Sequence, residues 1–253
     1  EKNDFYQSLL NHLENAAATR GISVEVHWLG GQGEFTQDVC NLLRNRGITG
    51  VFLSPPPPTQ TASEVRIKLP FEHFQIVTFG PESLYPDFHT VQFDFYENFR
   101  LAWKHLWQRG YRKIGHVFHK AHGWRTGHAW EAAFYIEKIL AGIDTSKMSP
   151  LEINLENGNL NHKIYLEWLS RDDYDAVISS VYDLDIWNNS MSNPPEVVYF
   201  NVRKPEQKGI DVNLPQMAET AIELLYMEMQ RSLVGQNVLP FRVHIPGKWS
   251  ETV

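Results

Sequence analysis

The sequence predicts an α/β protein in which parallel strands carry helices packed on their faces, and two observations lead to that reading. The first is a passage repeated three times. An amphipathic helical pattern gives way, through an arginine and a glycine, to a short β-rich run. Arg20-Gly21-Ile22 precedes Val24-Glu25-Val26-His27-Trp28, Arg46-Gly47-Ile48 precedes Gly50-Val51-Phe52-Leu53, and Arg109-Gly110-Tyr111 precedes Lys113-Ile114-Gly115-His116-Val117-Phe118. The second is the make-up of those runs. They are rich in β-branched and aromatic residues, as strands buried on both faces tend to be. Helix alternating with strand at this spacing implies crossover connections and a parallel sheet.

Along the chain, a first helix is expected over 5–19, with Phe5, Leu9, Leu13 and Ala17 on one stripe. Each arginine-glycine pair suits a helix end. The glycine takes the left-handed backbone and the arginine meets the negative end of the helix dipole. A strand over 24–28 follows, then a helix over 36–45 and a strand over 50–53. Pro55 to Pro58 form a rigid extended exit from it. Strands at 75–79 and 91–93 lead to a helix over 96–108, a strand over 113–118 and helices over 128–141 and 160–170. A strand at 176–179 precedes a polar stretch, 183–195, which reads as a loop around a short helix. The last elements are a strand at 197–200, a helix over 214–234 stopped by Gly235, and a strand at 242–245. Met217, Ala221, Leu224, Leu225 and Met229 face inward on that helix.

Bulk properties narrow the function. The 253 residues suffice for one large domain or two smaller ones. A net charge of -7 argues against this chain gripping nucleic acid unaided, because phosphate binding relies on Lys and Arg. No apolar run approaches the roughly 20 residues that cross a bilayer. The single cysteine, Cys40, forbids an internal disulfide, favours a reducing compartment and reads as a small buried residue.

More specific signals lie in the middle and last third. Val91-Gln92-Phe93-Asp94 precedes a helix carrying Ala102 and His105-Leu106, then Arg109-Gly110-Tyr111-Arg112-Lys113-Ile114-Gly115. Further on come Asp175-Ala176-Val177-Ile178, Pro195-Glu196-Val197-Val198-Tyr199-Phe200-Asn201, the helical stretch from Ala218 to Leu225, and Pro246-Gly247-Lys248-Trp249. In order and spacing this series resembles the lactose-repressor/galactose-repressor (LacI/GalR) family of bacterial transcription regulators, over essentially the whole chain.

The resemblance implies a type I periplasmic-binding-protein-like fold: two Rossmann-like subdomains with parallel sheets, joined by crossover strands, with a small molecule in the cleft between them. By analogy the first subdomain is 1–119 plus about 210–233, and the second is 120–209 plus about 234–253. The family also implies a cytoplasmic homodimer that reaches operator DNA through a helix-turn-helix head, which is expected to be absent from this chain. The family's first strand is likewise expected to be missing, since the chain begins almost inside the first helix. The implied effector is a carbohydrate or a derivative of one. The alternative reading is a periplasmic sugar-binding protein of a transport system.

Three positions depart from the family pattern. Trp130 stands where the family places an effector-binding arginine, Val181-Tyr182 replaces a usual Asn-Asp pair, and Asn201 replaces an Asp. Arg125, five residues before Trp130, is a candidate to take over the charge.

Placed on the implied cleft, the expected effector contacts are Asp4, Phe5, Ser54, Phe79, Asp94, Trp124, Arg125, Trp130, Tyr182 and Asn201. Aromatic faces stack on the C–H faces of a sugar ring, and Asp, Asn and Arg meet its hydroxyls. The plainer alternative makes the tryptophans core and Asp94 a helix cap. His116, His119, His122 and His128 cluster in sequence, but across a strand end and a loop. They read as cleft-rim or surface histidines in preference to a zinc site. Gly30-Gly31-Gln32-Gly33 lacks the Lys-Ser/Thr ending of a phosphate loop and reads as a flexible turn. No nucleophile elbow, paired carboxylates or dinucleotide fingerprint points to catalysis. No catalytic residue, metal or cofactor is expected.

Overall fold

The computed structural model describes residues 4–27, 37–54, 73–80, 87–154, 158–182, 184–189, 191–231 and 239–251. Their contacts divide the chain into two compact units, Glu1–Phe93 with Asn213–Ile245, and Asp94–Val212 with Pro246–Val253. The chain therefore passes from one unit to the other three times, as expected of a crossover design.

The first unit is built on a four-stranded parallel sheet in the order β1-β2-β3-β9, from Gly50–Leu53, Gln75–Phe79, His89–Phe93 and Arg242–Ile245. Every residue of β2 and β3 is buried, so their apolar runs reflect two covered faces. Helix α1 (Asp4–Ala18) buries Leu9, Leu13 and Ala17 of the predicted stripe, with Phe5 half-buried, and packs against α8 (Leu214–Arg231), which also lies on β1 to β3. Helix α2 (Gln37–Asn45) buries Cys40 and Leu43.

Over 24–27, the described part of the strand predicted at 24–28, no strand is formed. Residues 22–27 belong to no strand, Val26 is 66% exposed, and Glu25 is drawn into ion pairs with Arg46 and His27. A strand needs a neighbour to satisfy its amides. Among the described residues β1 is the sheet's edge, and nothing pairs with 24–27. Trp28, Pro55 to Pro58, Gly30 to Gly33 and Gly235 lie outside the described residues.

The second unit holds a six-stranded sheet in the order β10-β8-β7-β6-β4-β5. Its strands are β4 (Ile114–His119), β5 (Leu151–Ile153), β6 (Ala176–Ser179), β7 (Glu196–Tyr199), β8 (Gly209–Asp211) and β10 (Lys248–Ser250), the last alone antiparallel. The helices are α3 (Phe95–Gln108), α4 (Lys120–Arg125), α5 (Ala129–Leu140), α6 (Gly158–Asp172) and α7 (Leu184–Asn188). The short α7 falls in the polar stretch expected to hold one.

The unit boundaries differ from the expected ones. The break after the third strand comes at Phe93 instead of 119, because β4 pairs with β5 and β6 and α3 packs on α5. Residues 239–245 stay with the first unit, since β9 extends β3, while only the final strand crosses to the second.

Gly21, Gly47 and Gly110 take positive φ of 68°, 74° and 97°. After each, the next amide reaches back to a carbonyl in the last helical turn: Ile22 to Ala17, Ile48 to Leu43 and Tyr111 to Leu106. This is the helix ending the arginine-glycine pairs predict.

Candidate functional site

Loops at the carboxyl ends of parallel strands are where α/β sheets present ligand groups. In the first unit that end carries an aromatic group. The Phe5 ring stacks on Phe79 at 6.0 Å, and Phe93 meets Phe79 edge-on at 5.1 Å. Phe79 and Phe93 are buried and Phe5 is half-buried. Ser54 is exposed immediately after β1. Asp4 opens α1, but its side chain is outside the described residues. Phe93 was not among the predicted contacts, and only its place beside Asp94 hinted at it.

In the second unit the carboxyl ends of β4, β6 and β7 lie side by side and gather polar groups. His119 ends β4, and its Nδ1 accepts the Ala121 amide at 3.1 Å, which caps α4. The Ser180 hydroxyl, just past β6, accepts the His119 amide at 3.2 Å and sits 3.0 Å from His122 Nδ1. Tyr182 follows. Its ring stacks on Tyr199 at 5.6 Å, and the Arg203 guanidinium lies over it at 3.9 Å. Burial raises the Tyr182 phenol above its ordinary value, against the pull of Arg203, and Arg203 and Asn201 are its side-chain hydrogen-bonding neighbours.

The loop beyond β7 holds Arg203 in place through its backbone. The buried Gln207 carboxamide oxygen accepts the amides of Arg203 at 2.9 Å and Lys204 at 3.2 Å, and the Val202 amide reaches Ile210 O. Arg203 is absent from the predicted contacts. Its position two residues past Asn201 was the available signal.

Electrostatics mark the same rim. His122 is pushed down to about 3, first by burial and then by the positive surroundings of His119, Arg125 and Arg203. It is therefore neutral near pH 7.

The remaining expected contacts divide. Tyr182 and Asn201 meet at the rim, and Arg125 lies within electrostatic reach of it. Trp124 is half-buried with the Arg125 guanidinium 5.7 Å from its ring. Asp94 caps α3, its Oδ1 accepting the Glu97 amide at 3.0 Å, which is the plainer role set beside ligand binding. Trp130 is only 7% exposed and lies flat on Phe200.

The histidines also separate. His116 is neither a rim nor a surface residue but fully buried, stacked on Phe118 and edge-on to Phe99, and burial pushes it down to about 4. Its Nδ1 lies 3.1 Å from the Ile178 carbonyl, so that nitrogen carries the proton, while Nε2 has no hydrogen-bond partner among the described residues. His128 is exposed in a left-handed conformation and pairs with Glu131. Among the described residues no three His, Cys, Asp or Glu side chains are placed to hold a metal ion, and no helix is long and apolar enough to cross a membrane.

No protein-family model and no curated protein sequence matches the chain. Solved structures do. A LacI transcriptional regulator from a Rhodococcus species superposes with a TM-score of 0.74 at 17% identity, over 99% of this chain and 93% of that one. A periplasmic binding protein/LacI transcriptional regulator from Alkaliphilus metalliredigens, complexed with D-xylulofuranose, gives 0.65 at 18% identity, over 99% and 94%. A LacI family transcriptional regulator from Enterococcus faecium with bound ribose gives 0.66 at 14% identity, over 98% and 93%. The chain thus has the periplasmic-binding-protein-like fold that such regulators share.

Proposed function

We propose that this chain is the effector-sensing domain of a transcription regulator of the LacI/GalR type. In this reading it binds a small molecule, a sugar or sugar derivative, and has no catalytic chemistry of its own. The observation that supports it most is the full-length fold likeness, because both partners are covered almost end to end and two of the three relatives hold a sugar. The directed polar groups at the carboxyl ends of β4, β6 and β7 agree with a ligand site. Trp124, Arg125, Tyr182 and Asn201 are its proposed contacts in the second unit. Phe5, Ser54 and Phe79, with Asp4, are those in the first.

Regulation then follows from differential binding. A ligand that prefers one of two conformations shifts the population by the difference in its affinities. In a cytoplasmic homodimer carrying DNA-binding heads, that shift alters operator affinity.

A thermal-shift screen against monosaccharides, disaccharides, sugar acids and nucleosides tests the ligand half. A ligand at about 100 times its Kd adds about 2.7 kcal/mol, or about 5 to 10 °C in a domain of this size. The DNA half is tested by operator retention of the natural full-length protein with and without the hit. An absence of any stabilising sugar or sugar derivative, or operator binding indifferent to the hit, overturns the reading.

A further inference from the structure

The rim of the second unit carries a cation, Arg203, that has no carboxylate partner among the described residues. Arg20, Arg46, Arg100, Arg109, Arg171 and Arg231 each pair with a carboxylate, whereas among the described residues Arg44 and Arg112 do not, and Arg112 instead donates to the Trp107 and Tyr111 carbonyls. The Arg203 guanidinium is exposed and rests on the Tyr182 ring at 3.9 Å. This occurs in a chain whose net charge is -7, so acidic partners are plentiful elsewhere on the surface.

The cation is also held in place. Gln207, buried, ties down the backbone of Arg203 and Lys204, and the aromatic ring and hydroxyl of Tyr182 fix one face of the guanidinium. A planar fork of N–H donors fixed in this way suits a carboxylate or a phosphate, both of which it can meet in bidentate fashion. Around it are neutral hydrogen-bonding groups: the Asn201 amide beside the Tyr182 phenol, the Ser180 hydroxyl, and His122 on that hydroxyl. Arg125 adds positive potential at His122.

Resting on the effector-site reading above, we propose that the site takes an acidic ligand, with Arg203 as the counter-charge to its carboxylate or phosphate. The body of such a ligand is a sugar, and its oxyanion is what this rim selects over a neutral congener. Trp130, at the family's arginine position, is buried against Phe200, so in this proposal Arg203 supplies the charge from the loop after β7.

The test is isothermal titration of the chain with matched sets: glucose, glucuronate, gluconate and glucose 6-phosphate; galactose and galacturonate; ribose and ribose 5-phosphate. The two acidic arms separate carboxylate from phosphate. The same titrations are run on Arg203→Met and Arg203→Lys, with circular dichroism to establish that both remain folded. The expected result is that an acidic member binds more tightly than its neutral congener. Arg203→Met should then weaken it about ten- to a hundredfold, the range of a charge-assisted hydrogen-bonded pair, and Arg203→Lys should recover part of the loss. If a neutral sugar binds as tightly as its acid and Arg203→Met leaves both unchanged, the acidic-ligand proposal fails while the sensor reading stands. If no member of any set binds, both fail.

Discussion

The Trp130 indole lies on the Phe200 ring with centroids 4.1 Å apart and planes within 4°. Phe95 and His122 close its edges at 5.7 and 5.8 Å, and His116 stands 6.4 Å away. An indole enclosed in this way ties α5 to the loop after β7. Trp130→Ala should therefore cost stability, about 3 to 5 kcal/mol for a large aromatic removed from a core. Urea unfolding monitored by circular dichroism measures it. A midpoint unchanged from the parent would show that the ring is not packed as described.

A second prediction concerns the face of the sheet beneath α6. A Cβ on Gly115 would lie 2.4 Å from the Trp168 ring and 2.9 Å from Tyr174, and those two rings are themselves stacked at 4.0 Å. Neither can retreat easily. Trp168 donates to Ser149 O at 2.8 Å within a cluster that includes Tyr165 and Leu169. Gly115→Ala should destabilise the second unit by about 1 to 3 kcal/mol through overpacking. Calorimetric melting of the variant checks this, and a melting point equal to the parent's would count against so close a sheet-helix approach.

Much of this architecture was legible because it depends on local chemistry. The glycines at 21, 47 and 110 end helices by their own backbone freedom, and the stripe on α1 and the runs of β2 and β3 report burial directly. The segment 24–27 departs from its strand-like composition because composition cannot supply a pairing neighbour, and it has none among the described residues. The break at Phe93 was missed for a related reason. Which sheet β4 joins is settled by its long-range partners Ala176 to Ser179, far along the chain. Among the proposed contacts, Tyr182 and Asn201 are legible in the sequence from their places just past strand ends. Arg203 lies only two residues past Asn201, but that position alone does not single it out, because its placement comes from the Gln207 turn and the Tyr182 ring, both features of folding.

The buried histidines make a prediction about pH. His116 falls from an ordinary 6.5 to about 4 and His122 to about 3, and His89 is lowered too, all chiefly by burial. The folded state thus binds fewer protons than the unfolded one between pH 6.5 and about 4. The stability contributed by neutral His116 is whole above that window and is lost as pH falls through it, amounting to about 2 kcal/mol by pH 5. Urea midpoints taken from pH 7.5 downward should decline accordingly. A flat profile to pH 5 would mean that His116 is not buried as a neutral group.

Asn201 offers the cleanest separation of binding from stability. It is only half-buried, and its described role is to accompany the Tyr182 phenol. The Tyr182 ring keeps its own support, since Tyr199 stacks with it and the Arg203 guanidinium lies over it. Asn201→Ala should therefore leave the unfolding midpoint within about 0.5 kcal/mol of the parent, as for a substitution outside the core. A ligand hydroxyl that meets the amide would lose one hydrogen bond, about 1 kcal/mol, or roughly a fivefold rise in Kd. Calorimetric titration of the screening hit, run beside urea unfolding, measures both quantities on one preparation. Unchanged affinity with unchanged stability would remove Asn201 from the site. Weakened affinity with intact stability would place it there through its own amide and not through the fold.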